Sequence, residues 1–415
     1  MALADPIAPD IAAPRRWLSI VGIGEDGVDG LTPTARALVS GAEIVFGGKR
    51  HLALASPLIR GAARPWPSPF DRAVEEVLAH RGRQICVLAS GDPFVYGVGS
   101  VLARHVAPAE TVVVPAPSAF SLAAARLNWA LPDLSLISLH ARALDLVRPH
   151  LQPGARVLAL TSDGAAPAAL ARLLADSGFA ATRLTVLEAL GGLRERVRTA
   201  TAGAFDLGTV DDLNIVALEV VAAPGARVIP RAAGLDDALF EHDGQLTKRE
   251  VRAVTLSSLA PRRGELLWDI GAGAGSVAIE WMLTDPAMRA IAIEARNDRA
   301  DRIRRNAAAL GVPGLEVIEG AAPAALEGLP QPAAIFVGGG AGDPGVLDAA
   351  ATALRSGGRL VVNAVTLETE SALMARHAAL GGTLTRIAIA RAEAIGGKTA
   401  WRPALPVTQW VWIKP

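Results

Sequence analysis

A chain of 415 residues is longer than one ordinary hydrophobic core serves, so two domains are expected. Its 41 basic and 41 acidic side chains cancel, which excludes a protein that wraps nucleic acid through bulk positive charge. The single cysteine, Cys86, excludes an intrachain disulfide, and seven scattered histidines without CxxC or HExxH spacing leave no metal site to expect.

The first 14 residues lack the charged start and apolar core of a signal peptide, and no run of 18 apolar residues follows. A soluble cytoplasmic protein with no membrane partner is therefore expected. Lysine stands only at 49, 248, 398 and 414, so 37 of the basic residues are arginine. Guanidinium groups grip carboxylates bidentately and would suit a polycarboxylate substrate, although joint Ala and Arg enrichment is also what genomic base composition produces.

Residues 1–16 read as an N-terminal extension. From Trp17 the chain runs as an apolar strand into Gly22, Gly24 and Gly27, and a helix follows with Thr32 as N-cap and Pro33 at its first position. The glycines have GxGxxG spacing, yet the helix does not start on the last of them. ICVLASGDPFVYGVG, residues 85–99, is a strand that places Cys86 in a buried run and Asp92 in a turn before a helix. VVVPAPSAFSLAAARLNW repeats that arrangement, and LISLHAR ends in the basic tips His140 and Arg142. Pro and Gly interrupt the periodicity over residues 220–234, which puts a boundary near 228 and defines domains 17–228 and 229–415.

In the second domain Thr247 and Glu250 have capping-box spacing, predicting a helix from Thr247 that buries Val251, Val254 and Leu259. Strands are predicted over 265–270, 290–294, 315–318, 333–337, 358–363, 384–390 and 408–413, with helices between them. ELLWDIGAGAG ends its strand in Asp269 and turns through Gly271, Gly273 and Gly275, and Glu294 closes the next strand. Glycines let the backbone turn sharply and approach a ligand, while a carboxylate beyond the second strand can accept both hydroxyl hydrogens of a ribose. A dinucleotide fingerprint would put glycine where Ser276 stands. DxGxGxG, with a second acid 19 residues past Gly275, points instead to S-adenosylmethionine (SAM).

The first domain, through VGIGEDG, GGKRHL, SGDPFVYG, PAPSA and SLHAR, resembles the class III tetrapyrrole methylases. The second, through DGQLTKREVRAVTLSSL, LWDIGAGAGSVAIEW and IFVGGGAG, resembles class I SAM methyltransferases of precorrins. In this order they resemble the fused cobalamin-biosynthesis family that methylates precorrin-6Y at C5 and C15 and removes CO2 from the ring C acetate. The resemblance covers nearly everything from Trp17 onward. It implies an α/β architecture: two α/β subdomains of class III type, then a Rossmann-like class I fold.

The resemblance further implies SAM at one site per domain, a precorrin macrocycle as substrate, no nucleic acid, and self-association through the second domain. Gly91, Asp92, Ser118, Ala119 and Thr161 are the cofactor candidates of the first domain. Asp269, Gly271, Gly273, Gly275, Glu294 and Ala322 are those of the second. Substrate candidates are His140 and Arg142, which a solvated loop explains equally well, and Gly338, Gly339 and Gly340, which a loop needing positive φ also explains. Asn363 is the last substrate candidate, with strand-end capping as its alternative. SAM carries its own activated methyl, so no nucleophile is expected and no catalytic acid is assigned. The chain departs from the family pattern at Glu25, where Pro is expected, at Ala119, where Ser is expected, and at Ala141, where Gly is expected. A fused pair of RNA methyltransferases, and a catalytic domain joined to a non-catalytic SAM or tetrapyrrole binder, are the competing readings.

Overall fold

The computed structural model describes residues 16–68 and 70–415, so the extension read over residues 1–16 lies, Arg16 apart, outside the described residues. The described chain forms two compact units. One comprises residues up to Arg142 together with Gly154–Ala223, and the other Ala143–Pro153 together with everything from Pro224 onward. The short segment Ala143–Pro153 belongs with the second unit through its contacts: Gln152 Nε2 donates to the Ile229 carbonyl at 2.8 Å, and Pro149 packs against Gly311.

The first unit contains two sheets. Strands β1 (Leu18–Ile23), β2 (Ile44–Gly47), β3 (Ala62–Pro65), β4 (Ile85–Ser90) and β5 (Thr111–Val114) form a parallel sheet in the order β3-β2-β4-β1-β5. Side chains alternate across it: Ile20, Phe46 and Val87 enter one core, Val21, Val45, Cys86 and Leu88 the other. Strands β6 (Ser135–Ser138), β7 (Arg156–Leu160), β8 (Arg183–Glu188), β9 (Arg196–Thr201) and β10 (Asn214–Glu219) form the second sheet, ordered β6-β7-β10-β8-β9, in which only β6 and β7 pair in parallel. The first helix starts where its cap residues place it, with Thr32 Oγ1 accepting from the Ala35 amide at 3.2 Å and Pro33 at the first position.

The second unit is built on β11 (Leu266–Ile270), β12 (Arg289–Glu294), β13 (Glu316–Glu319), β14 (Ala334–Val337), β15 (Arg359–Ala364), β16 (Thr383–Ile387), β17 (Ala390–Ile395), β18 (Lys398–Pro403) and β19 (Val407–Ile413). Seven of them form one sheet ordered β13-β12-β11-β14-β15-β19-β16, parallel except for β19, which runs antiparallel to both neighbours. Leu267, Ala292 and Phe336 face one core while Trp268, Ile293 and Val337 face the other. Chain order reverses between β11 and β14, and such a switch opens a crevice beyond the carboxyl ends of the strands. The two units thus have the class III and class I methyltransferase folds.

Three local expectations need correction. The second-domain helix spans Arg249–Leu259, and its N-cap is Lys248 without a side-chain cap bond, because the Thr247 carbonyl is used by the Arg252 guanidinium instead. Val254 is on the exposed side. Arg252 takes the buried face, where its Nε donates to Glu280 Oε1 at 2.5 Å and its guanidinium lies 4.7 Å from the Phe240 ring centroid. The run read as one strand over 384–390 divides into β16 and β17, and β17 pairs only with β18 in a separate two-stranded ribbon whose residues are all exposed.

Candidate active sites

In the second unit a cavity of about 600 Å³ opens at the switch point. Gly271, Ala272 and Gly273 line it, with Glu294 from the end of β12, Ala322 after β13, Gly338, Gly339 and Gly340 after β14, and Asn363 from β15. Gly271 has φ +69°, and a Cβ there would stand 2.6 Å from the Gly339 carbonyl oxygen, so only glycine lets the two loops meet. Gly275 has another task. It does not line the cavity, and a Cβ on it would strike Ile303 at 2.7 Å, so its lack of a side chain admits the neighbouring helix Asn297–Ala309.

The two acids differ in their surroundings. Glu294 Oε2 accepts from the Gly273 amide at 2.9 Å and Oε1 from the Arg296 amide at 3.1 Å, leaving each oxygen a further lone pair. Asp269 lies beneath the loop: Oδ2 accepts from the Ala278 amide at 3.0 Å, whereas Oδ1 is buried without a partner. Burial, with the Glu294 charge adding to it, raises the Asp269 carboxyl to about 7. A glycine cradle and a half-free carboxylate fit a ligand carrying a ribose, as SAM does.

Asn363 is held from two sides. Its Nδ2 donates to Thr255 Oγ1 at 2.9 Å, and its Oδ1 accepts from Gln409 Nε2 at 2.9 Å. Sequence reasoning missed the rest of this wall: Thr247, Lys248 and Arg299 on the polar side, Val365, Ile389 and Leu405 on the apolar side. Thr247 and Lys248 precede one helix, Arg299 lies in another, and Val365, Ile389 and Leu405 stand in loops, so no single periodic pattern marks them out.

The first unit has its own cavity, of about 380 Å³, lined by Gly91, Ser118, Ala119, His140 and Thr161 among the expected residues. Gly91 has φ +55°, and a Cβ on Gly22 would lie 1.9 Å from the Gly91 oxygen, so the ends of β1 and β4 touch. Asp92 and Arg142 do not line this cavity. The Asp92 carboxylate accepts from the Phe94 amide at 2.8 Å and holds the turn, and Ser118 Oγ caps the next helix by accepting from the Ser121 amide at 3.1 Å. Thr161 donates to Asn214 Oδ1 at 2.5 Å, and His140 Nδ1 donates to the Thr161 carbonyl at 3.1 Å, which leaves Nε2 free.

Sequence reasoning missed Asn214, Tyr96, Arg50 and Ser90, which also line it. Glu25 lines the cavity too, with its carboxylate paired to Arg50 and 3.6 Å from Arg194. Arg50 Nη2 also lies 3.0 Å from His51 Nε2. An arginine only donates, so that nitrogen accepts and the imidazole is neutral, in accord with a pKa lowered to about 4 by burial and by Arg50. Cys86 offers no nucleophile, because burial pushes its thiol up to about 12. Among the described residues no helix is long and apolar enough to cross a membrane.

Unlike folds joined in one chain, each with a cavity at its strand ends, define a fused pair of methyltransferase domains. Residues 18–206 match the tetrapyrrole (corrin/porphyrin) methylases, and residues 238–414 match the precorrin methyltransferase domain. The chain is 63% identical over 406 residues to a Sinorhizobium precorrin-6Y C(5,15)-methyltransferase [decarboxylating], covering 98% of each. It is 41% identical over 398 residues to a Mycobacterium tuberculosis protein of the same name, covering 94% of this chain and 98% of that one. A Salmonella typhimurium cobalt-precorrin-7 C(5)-methyltransferase is 30% identical over 189 residues, 46% of this chain and 92% of its own. The chain therefore belongs to the precorrin-6Y C5,15-methyltransferase (decarboxylating) family, whose members are SAM-dependent C-methyltransferases.

Proposed function

We propose that the chain methylates precorrin-6Y at C5 in the first unit and at C15 in the second, where it also removes CO2 from the ring C (C12) acetate, giving precorrin-8 in cobalamin biosynthesis. The observation that carries this reading is the pair of separate cavities, each beside its own glycine turn at the carboxyl ends of parallel strands. One SAM binds in each. The C5 assignment draws support from the Salmonella relative, which spans under half of this chain and is named for C5 alone. Fused RNA methyltransferases fit less well, since a stacking platform for single-stranded RNA wants more than the one tyrosine and balanced charge found here.

SAM, when bound, supplies a methyl already activated on sulfur, so the protein's task is alignment. Holding donor and acceptor in register can contribute roughly 7–11 kcal/mol. In the second unit Glu294 accepts from the ribose hydroxyls, Gly271 and Gly273 leave room for the backbone to approach, and Gly338–Gly340 bring amides toward the substrate side. Asn363, with its amide orientation set by Thr255 and Gln409, orients the macrocycle. In the first unit Gly91, Ser118, Ala119 and Thr161 hold the cofactor, and His140 Nε2 and Arg142 meet substrate carboxylates.

In the decarboxylation the bond from the acetate methylene to its carboxyl carbon breaks, CO2 leaves, and the bonding electrons enter the conjugated macrocycle, which later takes a proton. Val365, Ile389 and Leu405 keep the departing carboxylate poorly solvated, while Lys248 and Arg299 face the others. The compartment that suits this reading is the reducing cytoplasm, where a lone buried thiol such as Cys86 stays reduced. Calorimetric titration of the full chain with SAM tests the two-site reading: two equivalents support it, and one equivalent overturns it.

A further inference from the structure

Five non-glycine residues in the described chain have left-handed backbones: Tyr96 at φ 54°, Asn128 at 55°, Ala141 at 54°, Ala189 at 43° and Ala260 at 44°. Asn128 and Ala260 end the helices Ala119–Leu127 and Arg249–Leu259, an ordinary use of that conformation. The other three all stand at the first unit's cavity. Tyr96 lines it, Ala141 follows the lining residue His140, and Ala189 lies between the lining residues Leu187 and Leu190. Left-handed backbone disfavours side chains with a Cβ, and such residues persist where the surroundings over-determine them, often at ligand sites.

Tyr96 is the most telling of the three, because it is bulky and is the chain's sole tyrosine. Its loop is wound tightly: a Cβ on Gly97 or Gly99 would stand 2.5 or 2.7 Å from the Pro93 oxygen, and Ser100 Oγ donates to the Phe94 carbonyl at 3.1 Å. Tyr96 is 53% exposed, although its ring centroid is 6.1 Å from that of the buried Phe120 and its hydroxyl donates to the Leu136 carbonyl at 3.4 Å. The Arg142 guanidinium lies 5.8 Å from the ring centroid. A half-open aromatic ring that neither packs into the core nor moves freely, next to a cation, matches a flat conjugated ring edged with carboxylates.

We propose that Tyr96 is the positioning residue for the macrocycle in the first unit, with its strained backbone fixing the ring as a platform and Arg142 beside it taking a substrate carboxylate. This rests on the reading that the first cavity performs C5 methylation. The second cavity of the same chain provides an internal control.

The test uses the full chain with precorrin-6Y and SAM. In Tyr96→Leu the KM for the macrocycle in C5 methylation rises about tenfold, the size of a lost aromatic contact, while the KM for SAM and the C15 reaction with CO2 release stay unchanged. Tyr96→Phe retains the ring and restores the KM. A chain in which the sole tyrosine is replaced by fluorotyrosine shows one fluorine resonance, which shifts when precorrin-6Y is added and does not need a folded variant. An unchanged KM in Tyr96→Leu, or a resonance that stays fixed while C5 methylation proceeds, overturns the platform and leaves the proposed function standing. Failure of the unsubstituted chain to methylate C5 overturns both.

Discussion

Glu294 reaches back from the end of β12 to the glycine turn, where its Oε2 accepts the Gly273 amide at 2.9 Å. The carboxylate thus braces the loop, and under the proposed function it also accepts from a ribose. Glu294→Ala removes both roles. Hydrogen bonds to a charged group contribute about 1.5–3 kcal/mol each, so SAM affinity in the second unit is expected to fall by about 10- to 100-fold. C5 methylation should persist, and calorimetry on the variant should show one remaining strong site.

Asp269 gives a pH signature of the opposite sense to an ordinary carboxylate. Its folded value of about 7 exceeds the usual 3.8, so between those values the folded chain keeps a proton that the unfolded chain has released. The stability this group provides is complete below pH 3.8 and is lost as pH rises through 7. At about 1.4 kcal/mol per pH unit, the loss by neutral pH is on the order of 4 kcal/mol. Asp269→Asn should therefore flatten the pH dependence of melting across that window and raise the Tm at pH 7 without SAM, while weakening SAM binding. A variant whose melting follows the parent's pH profile contradicts the assignment.

Arg252 and Glu280 form a buried pair that sequence periodicity hides. Arg252 is fully buried, and Glu280 also accepts the Gly234 and Leu235 amides at 2.7 and 2.9 Å. Arg252→Met leaves a buried carboxylate without its countercharge and should cost about 3–5 kcal/mol in urea denaturation of the second unit. A loss under about 1 kcal/mol would show the pair to be dispensable.

Ala141 stands where the family resemblance expects glycine, and its φ of 54° explains why glycine suits the position. Ala141→Gly removes left-handed strain of about 1–2 kcal/mol and adds about 0.4–1 kcal/mol of unfolded-chain entropy, so a small net gain in stability is expected. Thermal melting at one pH checks the sign.

Much of the architecture was legible because parallel strands buried on both faces form continuous apolar runs, and β11, β12, β14 and β15 all begin within a residue of their expected starts. The glycine turn was legible because close backbone approach, such as that of Gly271 to Gly339, restricts residue type. Tyr96, Asn214 and Gln409 were not, since their roles depend on which loops the folded chain brings together. Burial of Arg252 was illegible for a related reason: its partners Glu280, Leu235 and Asp237 come from other elements. The ribbon escaped because its alternation sets alanine against charge, a weak apolar contrast. Gly275 was legible as a glycine but misleading in role, because packing against Ile303 and approach to a ligand impose the same demand.

Mass spectrometry of the product from precorrin-6Y and SAM tests the central claim most directly. Two functioning cavities predict a product that has gained two methyl groups and lost one CO2. A product with a single added methyl and its acetate intact would contradict the account.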